Sequence, residues 1–340
     1  MAQVLTMALE VGGIVGAGAA GLLAAGWLWE RGCEARQARR NPPPGRLVDV
    51  GGRRLHLWSE GDASGPTVVI EQGAGAASYF WWGVQHTIAG FARVCTYDRA
   101  GYGWSDPAPR PRSARDRAAE LHRLLKAAGE PGPYILVGHS YGGPLISLFA
   151  RDYRDEVAGL VFADTPDMEE VLGADYQAAT RKVHLPMIKV MRFVIRFGIL
   201  RLIGLFIRNN PLTADLSPEA RAASKATLRT ASWDAALDDL ASLWTIPDGD
   251  RRPLVPGGLG QMPVAVISHG KPFPGPFVTL ERGFVEGQAR LMALSADSRQ
   301  TVLPEAGHTV QLDAPDAVVE AIRQVYVAAR DGTRLTAAAA

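Results

Sequence analysis

The segment of this chain best equipped for chemistry is Gly138-His139-Ser140-Tyr141-Gly142, which sets a hydroxyl between glycines at the spacing G-x-S-x-G. A serine hydroxyl is a weak nucleophile until a base takes its proton, so the segment needs an imidazole within reach. In a chain with 37 glycines the pentapeptide alone is a weak signal. Its flanks raise it. Tyr134-Ile135-Leu136-Val137 is an apolar, strand-like run that stops at Gly138, and helical spacing begins after Ser140, with Pro144 in the first turn, where its missing N–H costs little. Strand, tight turn and helix in that order hold a serine on a strained turn with its hydroxyl exposed.

Seven histidines compete to be the base. His56, His86 and His122 sit inside strand or helix patterns, His184 lies in a helical stretch, and His139 is in the turn itself, so its ring is expected to point away from the Ser140 hydroxyl. His269 ends a strand-like run and is the runner-up. His308 stands in the loop Pro304-Glu305-Ala306-Gly307-His308, between the last strand pattern and the final helix. Loops leaving the carboxyl ends of parallel strands converge on one rim, which is where ligands bind in open α/β sheets.

The elements that must position these groups alternate. Arg46 to Val50 and Arg53 to Ser59 read as a hairpin around Gly51-Gly52. Thr67 to Glu71, Arg93 to Asp98, Tyr134 to Val137, Val157 to Ala163, Pro263 to Ser268 and Arg299 to Leu303 read as strands, interleaved with helices over Ser113 to Ala128, Tyr141 to Arg151 and Pro315 to Ala329. Strands joined by helices imply an α/β fold, a mostly parallel sheet with helices on both faces. From about Thr165 to Met262 the rhythm breaks into helical patterns alone, expected to be an inserted helical subdomain. Within it Met187 to Ile207 is apolar but carries Lys189, Arg192, Arg196 and Arg201, the first three on one helical face. That stripe fits either a lid helix with a solvated basic side or an interfacial helix lying on anionic lipid.

Before the core, Val11 to Trp29 gives nineteen positions without a charge, six of them Gly and five Ala. As a helix this segment would be about 28 Å long, close to the hydrocarbon thickness of a bilayer. Met1 to Glu10 lacks the basic n-region of a secretory signal. Arg31, Arg36, Arg39 and Arg40 follow the segment, and the positive-inside rule then places the rest of the chain in the cytoplasm. The expected organisation is an N-terminal segment (1–10), a single-pass transmembrane anchor (11–29), a linker (30–46), the first part of a core (47–164), a helical insertion (165–262), the second part of the core (263–330) and a flexible tail (331–340).

Composition narrows the partners. With 36 basic and 35 acidic side chains the net charge is +1, which gives no global field to gather nucleic acid. The apolar share of 47% can bury a core and excludes a wholly disordered chain. Two cysteines, Cys33 and Cys95, exclude a disulfide framework and a four-cysteine zinc site. No metal or organic cofactor is implied, and the oligomeric state stays open.

Four motifs in order, the Gln72-Gly73-Ala74 loop, Asp98-Arg99-Ala100-Gly101-Tyr102-Gly103-Trp104-Ser105, the turn at Ser140, and Gly307-His308, make the chain resemble the α/β-hydrolase fold family, of the kind with a cap domain, from about Leu47 to Arg330. The resemblance implies that Ser140 is the nucleophile, His308 the base, and the backbone N–H groups of Ala74 and Tyr141 an oxyanion hole. Gln72 stands where that family commonly has histidine. The orienting acid most often follows the strand read here as Pro263 to Ser268, but His269-Gly270-Lys271-Pro272-Phe273-Pro274-Gly275 contains no carboxylate. Asp164, at the end of the strand after the turn helix, matches the acid position of haloalkane dehalogenases and some lipases of this fold and is favoured, with Glu281 and Asp167 as alternatives. Asp98 and Arg99 are expected to anchor their loop, and Asp313 to cap the last helix. The implied chemistry is a serine hydrolase that cleaves carboxylic esters of apolar substrates through an acyl-enzyme. The alternatives are a peptidase or amidase of the proline-iminopeptidase kind, and a catalytically silent binding protein on the same scaffold.

Overall fold

The computed structural model describes residues 1–340 except 63, 205–215, 228, 244 and 336–340. An eight-stranded sheet organises the chain: β1 (Arg46–Asp49), β2 (Arg54–Glu60), β3 (Thr67–Glu71), β4 (Val94–Tyr97), β5 (Tyr134–His139), β6 (Val157–Ala163), β7 (Val264–His269) and β8 (Ser298–Leu303), in the spatial order β1-β2-β4-β3-β5-β6-β7-β8. The β1–β2 and β2–β4 pairs are antiparallel and the rest are parallel.

β5 shows why the apolar runs are continuous. Tyr134 and Leu136 point into one core, shared with Leu121 and Leu125 of α3 (Ala114–Ala128) and Leu145 and Phe149 of α4 (Gly142–Asp152). Ile135 and Val137 point into the opposite core, shared with Val84 and Ile88 of α2 (Trp82–Ile88) and with Val318, Ile322 and Val325 of the last helix, Pro315–Asp331. A strand buried on both faces has no solvent side to alternate with. α3 starts on a reciprocal Ser113–Asp116 capping box and stops at Gly129, whose φ of 67° closes the helix.

The N-terminal segment differs from the expected division at 10/11 and 29/30. One helix, α1 (Ala2–Arg40), runs through both boundaries. Glu30 to Arg40 is rich in Glu, Ala, Arg and Gln, all good helix formers, so the helix propagates until Asn41 and the Pro42-Pro43 pair end it. Leu5–Arg40 is long and apolar enough to cross a membrane, with a mean hydropathy of 1.7 in its most apolar stretch. Its carboxyl half docks on the domain. Buried Glu30 holds Arg201 with two contacts of 2.8 and 2.6 Å, and Glu34 accepts the Thr230 N–H at 2.9 Å.

Between β6 and β7 the chain runs through α5 (Met168–Leu172), α6 (Ala174–Ala179), a π-helical turn at Thr180–His184, α7 (Leu185–Arg196), α8 (Ile199–Ile203), α9 (Pro218–Ala226) and α10 (Thr230–Ser242). α7 buries Ile188 and Ile195 and leaves Lys189 exposed, but its polarity is mixed. Its Arg192 turns inward to Asp234 of α10, while Met187, Val190 and Phe193 are exposed at 49%, 60% and 48%. Leu205 to Ile207 of the expected apolar helix lie outside the described residues. After β7 come α11 (Glu281–Met292), β8, α12 (Val310–Asp313) and α13 (Pro315–Asp331). The expected tail is anchored at Leu335, which is buried and donates its N–H to Asp297 at 3.1 Å; 336–340 lie outside the described residues.

Candidate active site

Ser140 and Asp164 are the two non-glycine residues with positive φ among the described residues, at 51° and 47°. Both occupy the left-handed region that side chains with a Cβ disfavour, and such strain persists only where surrounding structure over-determines it. At Ser140 the cause is the tight passage from β5 into α4. A Cβ on Gly138 would come within 2.8 Å of the Gly142 carbonyl, and one on Gly142 within 2.5 Å of the Glu71 oxygen. Both glycines are therefore required by close backbone approach. At Asp164 the strand β6 has just ended and the chain turns into the helical insertion.

These two residues meet on His308. Its Nε2 lies 3.0 Å from Ser140 Oγ, and its Nδ1 lies 2.7 Å from Asp164 Oδ2. Because an ionised carboxylate only accepts, Nδ1 carries the hydrogen and Nε2 turns a lone pair to the serine hydroxyl. His308 is 31% exposed through its side chain, whereas Asp164 is fully buried. Asp313 differs from its expected role. Ala314, not Asp313, precedes α13, and Asp313 instead accepts the Gly307 N–H at 2.7 Å, pinning the loop that carries His308.

Asp164 is shared. His269 at the end of β7 donates from Nδ1 at 2.6 and 2.7 Å and from its backbone N–H at 3.1 Å, and Gln288 donates at 3.0 Å. Burial pushes the Asp164 carboxyl up, but the hydrogen bonds from His269 and His308 outweigh it and hold it well below the usual carboxylate range. His269 Nε2 meets Glu281 at 3.3 Å, so carboxylates face both ring nitrogens. Burial lowers its pKa, but Asp164 and then Glu281 raise it further, for a net upward shift. Glu281 is thus one imidazole away from His308. Asp167 caps α5 and binds Arg290 at 2.6 and 2.8 Å. Asp164, His269 and His308 offer three ligand-type atoms within 4.8 Å of one another, but direct hydrogen bonds among them account for the cluster.

His139 Nε2 donates to the His308 carbonyl at 2.8 Å, so the ring supports the histidine loop rather than the hydroxyl. Its Nδ1 is buried without a partner among the described residues, and burial, then the neighbouring His308, pull its pKa down to about 4. Across the turn from Ser140 lies the Gln72-Gly73-Ala74 loop. Arg99 holds it, donating to the Gln72 and Gly73 carbonyls at 2.7 and 2.8 Å and to Glu71 and Asp239 at 2.6 and 2.8 Å. Asp98 accepts from His56 at 2.7 Å and from the Ser78 N–H at 2.8 Å, which makes it an anchor of the neighbouring segments. The Gln72 side-chain amide is buried with neither polar atom partnered among the described residues.

Sequence reasoning did not find the sharing of Asp164 by His269, the Gln288 donor, or the aromatic wall. Phe273 and Phe284 ring centroids lie 5.3 and 5.8 Å from that of His308. His184 of the insertion stacks on Phe277 at 4.4 Å, and burial, then His308, lowers its pKa to about 4. The available signal was positional: His269 closes the strand beside the one that Asp164 follows. As an arrangement, a hydroxyl, an imidazole with a lone pair aimed at it, and a buried carboxylate behind the ring can move a proton from oxygen to nitrogen and back.

A family model of the alpha/beta hydrolase fold matches residues 66–315, a span that contains Ser140, Asp164 and His308. A probable transporter, efuK, of Hormonema carpetanum is 38% identical over 126 residues, 35% of this chain and 18% of that protein. The uncharacterized protein YqjL of Bacillus subtilis is 36% identical over 119 residues, 35% of this chain and 47% of that protein. The matches span less than half the length of either relative. An epoxide hydrolase of Bacillus megaterium, solved with an inhibitor, superposes with a TM-score of 0.64 at 18% identity, covering 82% of this chain and 99% of that one.

Proposed function

The chain belongs to the α/β-hydrolase fold family, and from that premise we propose that it is a serine hydrolase that cleaves carboxylic esters of apolar substrates, tethered to a membrane by α1. Ser140 attacks the ester carbonyl while His308 takes the hydroxyl proton. The tetrahedral intermediate then collapses to an acyl-enzyme as His308 returns the proton to the leaving alcohol. Water, deprotonated by the same imidazole, releases the acid. Asp164 fixes the ring tautomer and stabilises the imidazolium that forms at each step. The N–H groups of Ala74 and Tyr141 are assigned to the developing oxyanion, where fixed donors act most strongly.

One observation carries this reading: the Ser140–His308–Asp164 chain of contacts at 3.0 and 2.7 Å, with Ser140 on its strained turn. A serine at that position, with no carboxylate there to form an ester with substrate carbon, disfavours epoxide opening and dehalogenation. Phe273 and Phe284 beside His308 support an apolar acyl group. The length and hydropathy of α1, with Arg36, Arg39 and Arg40 exposed beyond its apolar part, support an anchor with the domain on the cytoplasmic side.

An active-site fluorophosphonate should label the wild-type protein and leave Ser140→Ala unlabelled; equal labelling of the two removes the nucleophile. A series of p-nitrophenyl esters should then show kcat/KM rising with acyl length, and a flat series removes the apolar-substrate assignment.

A further inference from the structure

We infer that a cavity of about 530 Å³ enclosed by α1, α7, α10 and the loop after β4 is a binding site for a phosphate-bearing anion of headgroup size. Seven arginines and four carboxylates line it, and Ser140, Asp164 and His308 do not. Most of this charge is internally spent. Arg117 binds Asp238 and Asp239 at 2.7 Å each, Arg99 takes Asp239 and Glu71, Arg112 reaches Glu120 at 2.9 Å, and Arg110 leans on Asp234 at 3.4 Å.

Three cations remain. Arg31 of α1 and Arg196 of α7 have no carboxylate in ion-pair range among the described residues, and Arg31 packs over Trp27 at 5.9 Å. Among the described residues Arg229 donates to the Gly103 and Ser105 carbonyls only, and its buried Nε has no acceptor among them. Burial pushes the Arg229 guanidinium below its ordinary pKa, against the partial compensation of Asp98, Glu34 and Asp106. Glu34, the fourth lining carboxylate, accepts the Thr230 N–H. A desolvated guanidinium without a direct ion-pair partner is costly, and planar guanidinium forks match phosphate oxygens in pairs. A cationic ligand would add to the unpaired charge, and a neutral one would leave it uncompensated.

The placement of the cavity matches one source of such an anion. Trp27 lines it, and Trp27 and Trp29 are 38% and 44% exposed where α1 meets the domain, the position at which tryptophans mark the headgroup layer. The outward face of α7, with Met187, Val190 and Phe193, and Leu202 of α8 at 77% exposure extend apolar surface beside that point. The lipid source rests on the reading of α1 as an anchor; the phosphate chemistry does not.

The test uses the full chain in detergent, with dihexanoyl phosphatidic acid, dihexanoyl phosphatidylcholine and inorganic phosphate as probes and calorimetric binding as readout. Saturable binding of phosphatidic acid, weakened roughly tenfold or more in Arg31→Gln/Arg196→Gln and unchanged in Lys189→Gln, is expected. An unchanged melting temperature of the double variant certifies its fold. Phosphatidic acid binding more tightly than inorganic phosphate assigns a lipid headgroup, and equal binding assigns free phosphate. No saturable binding of either, or equal binding by the double variant and wild type, overturns the site. Ser140→Ala binds the same probes whether or not the chain hydrolyses esters, so the two readings fail separately.

Discussion

Two buried aspartates in this protein hold a histidine at the same distance, and only one of the two histidines turns its other nitrogen to a hydroxyl. Asp98 and His56 meet at 2.7 Å, as do Asp164 and His308, and all but His308 are fully buried. The difference lies at the far ring nitrogen. His56 Nε2 is 2.7 Å from the Pro44 carbonyl, so both its nitrogens face acceptors and neither faces a hydroxyl. His308 Nε2 faces a hydroxyl. The backbone agrees: Asp164 is strained and Asp98 is not. An aspartate–histidine pair is a structural clamp or half of a relay according to what the second nitrogen meets.

The sharpest break of that comparison is a matched pair of alanine variants. His308→Ala is expected to lower kcat by about 10⁴ to 10⁶ with little change in melting temperature, since its ring is partly solvated. His56→Ala should do the reverse, costing about 3 kcal/mol because it leaves the buried Asp98 carboxylate without its main partner, while folded enzyme keeps near-normal kcat. Denaturant unfolding and active-site-titrated kinetics on both proteins check this, and a catalytic collapse in His56→Ala with unchanged stability ends the distinction. Next in size, Asp164→Asn is expected to cost about 10⁴ in kcat, because the amide can present its N–H₂ to the ring and favour the wrong tautomer. Asp98→Asn should show its loss in unfolding free energy instead.

How much of this was legible depended on distance along the chain. The turn at Ser140 and its two glycines are local, and an apolar run stopping at Gly138 displays them. His308 was found by its place after the last strand. The carboxylate was harder, because Asp164 and His269 are 105 residues apart and meet only through the parallel pairing of β6 and β7. The loop after β7 lacks an acid, and the histidine that ends β7 occupies the space beside the borrowed one. Periodicity located the basic face of α7 but not its partner, since Asp234, 42 residues beyond Arg192, draws that one arginine in while Lys189 stays exposed. The extent of α1 is not legible from the charge-free segment 11–29, because a hydropathy boundary is not a helix boundary: Glu30 to Arg40 stops being apolar without ceasing to favour helix.

His139 tests the comparison from a third side, having one nitrogen satisfied and the other orphaned. Its pKa is about 4 in the fold and near the ordinary 6.5 in the unfolded chain. The unfolded state therefore gains a proton as pH falls below about 6.5 that the folded state refuses until about 4, so stability drops across that window and levels off beneath it. A difference of this size corresponds to about 3 kcal/mol. His139→Gln, which keeps a donor for the His308 carbonyl, should flatten the slope of unfolding free energy between those pH values. An unchanged slope would show that the ring is protonated within the fold.

The smallest effect concerns the second imidazole on Asp164. Burial lowers the His269 pKa, but Asp164 and Glu281 raise it on balance, and the charged ring draws on the same negative charge that stabilises the His308 imidazolium. Replacing it by Gln retains a donor but removes the charge, leaving Asp164 a stronger partner for His308. The acid limb of kcat/KM should then move to higher pH, with kcat on the plateau changed by no more than about tenfold. His269→Lys, which restores a cation near the carboxylate, should return the limb toward its original position. A merely structural role for His269 would lower the amount of folded enzyme in both variants and leave the limb where it was.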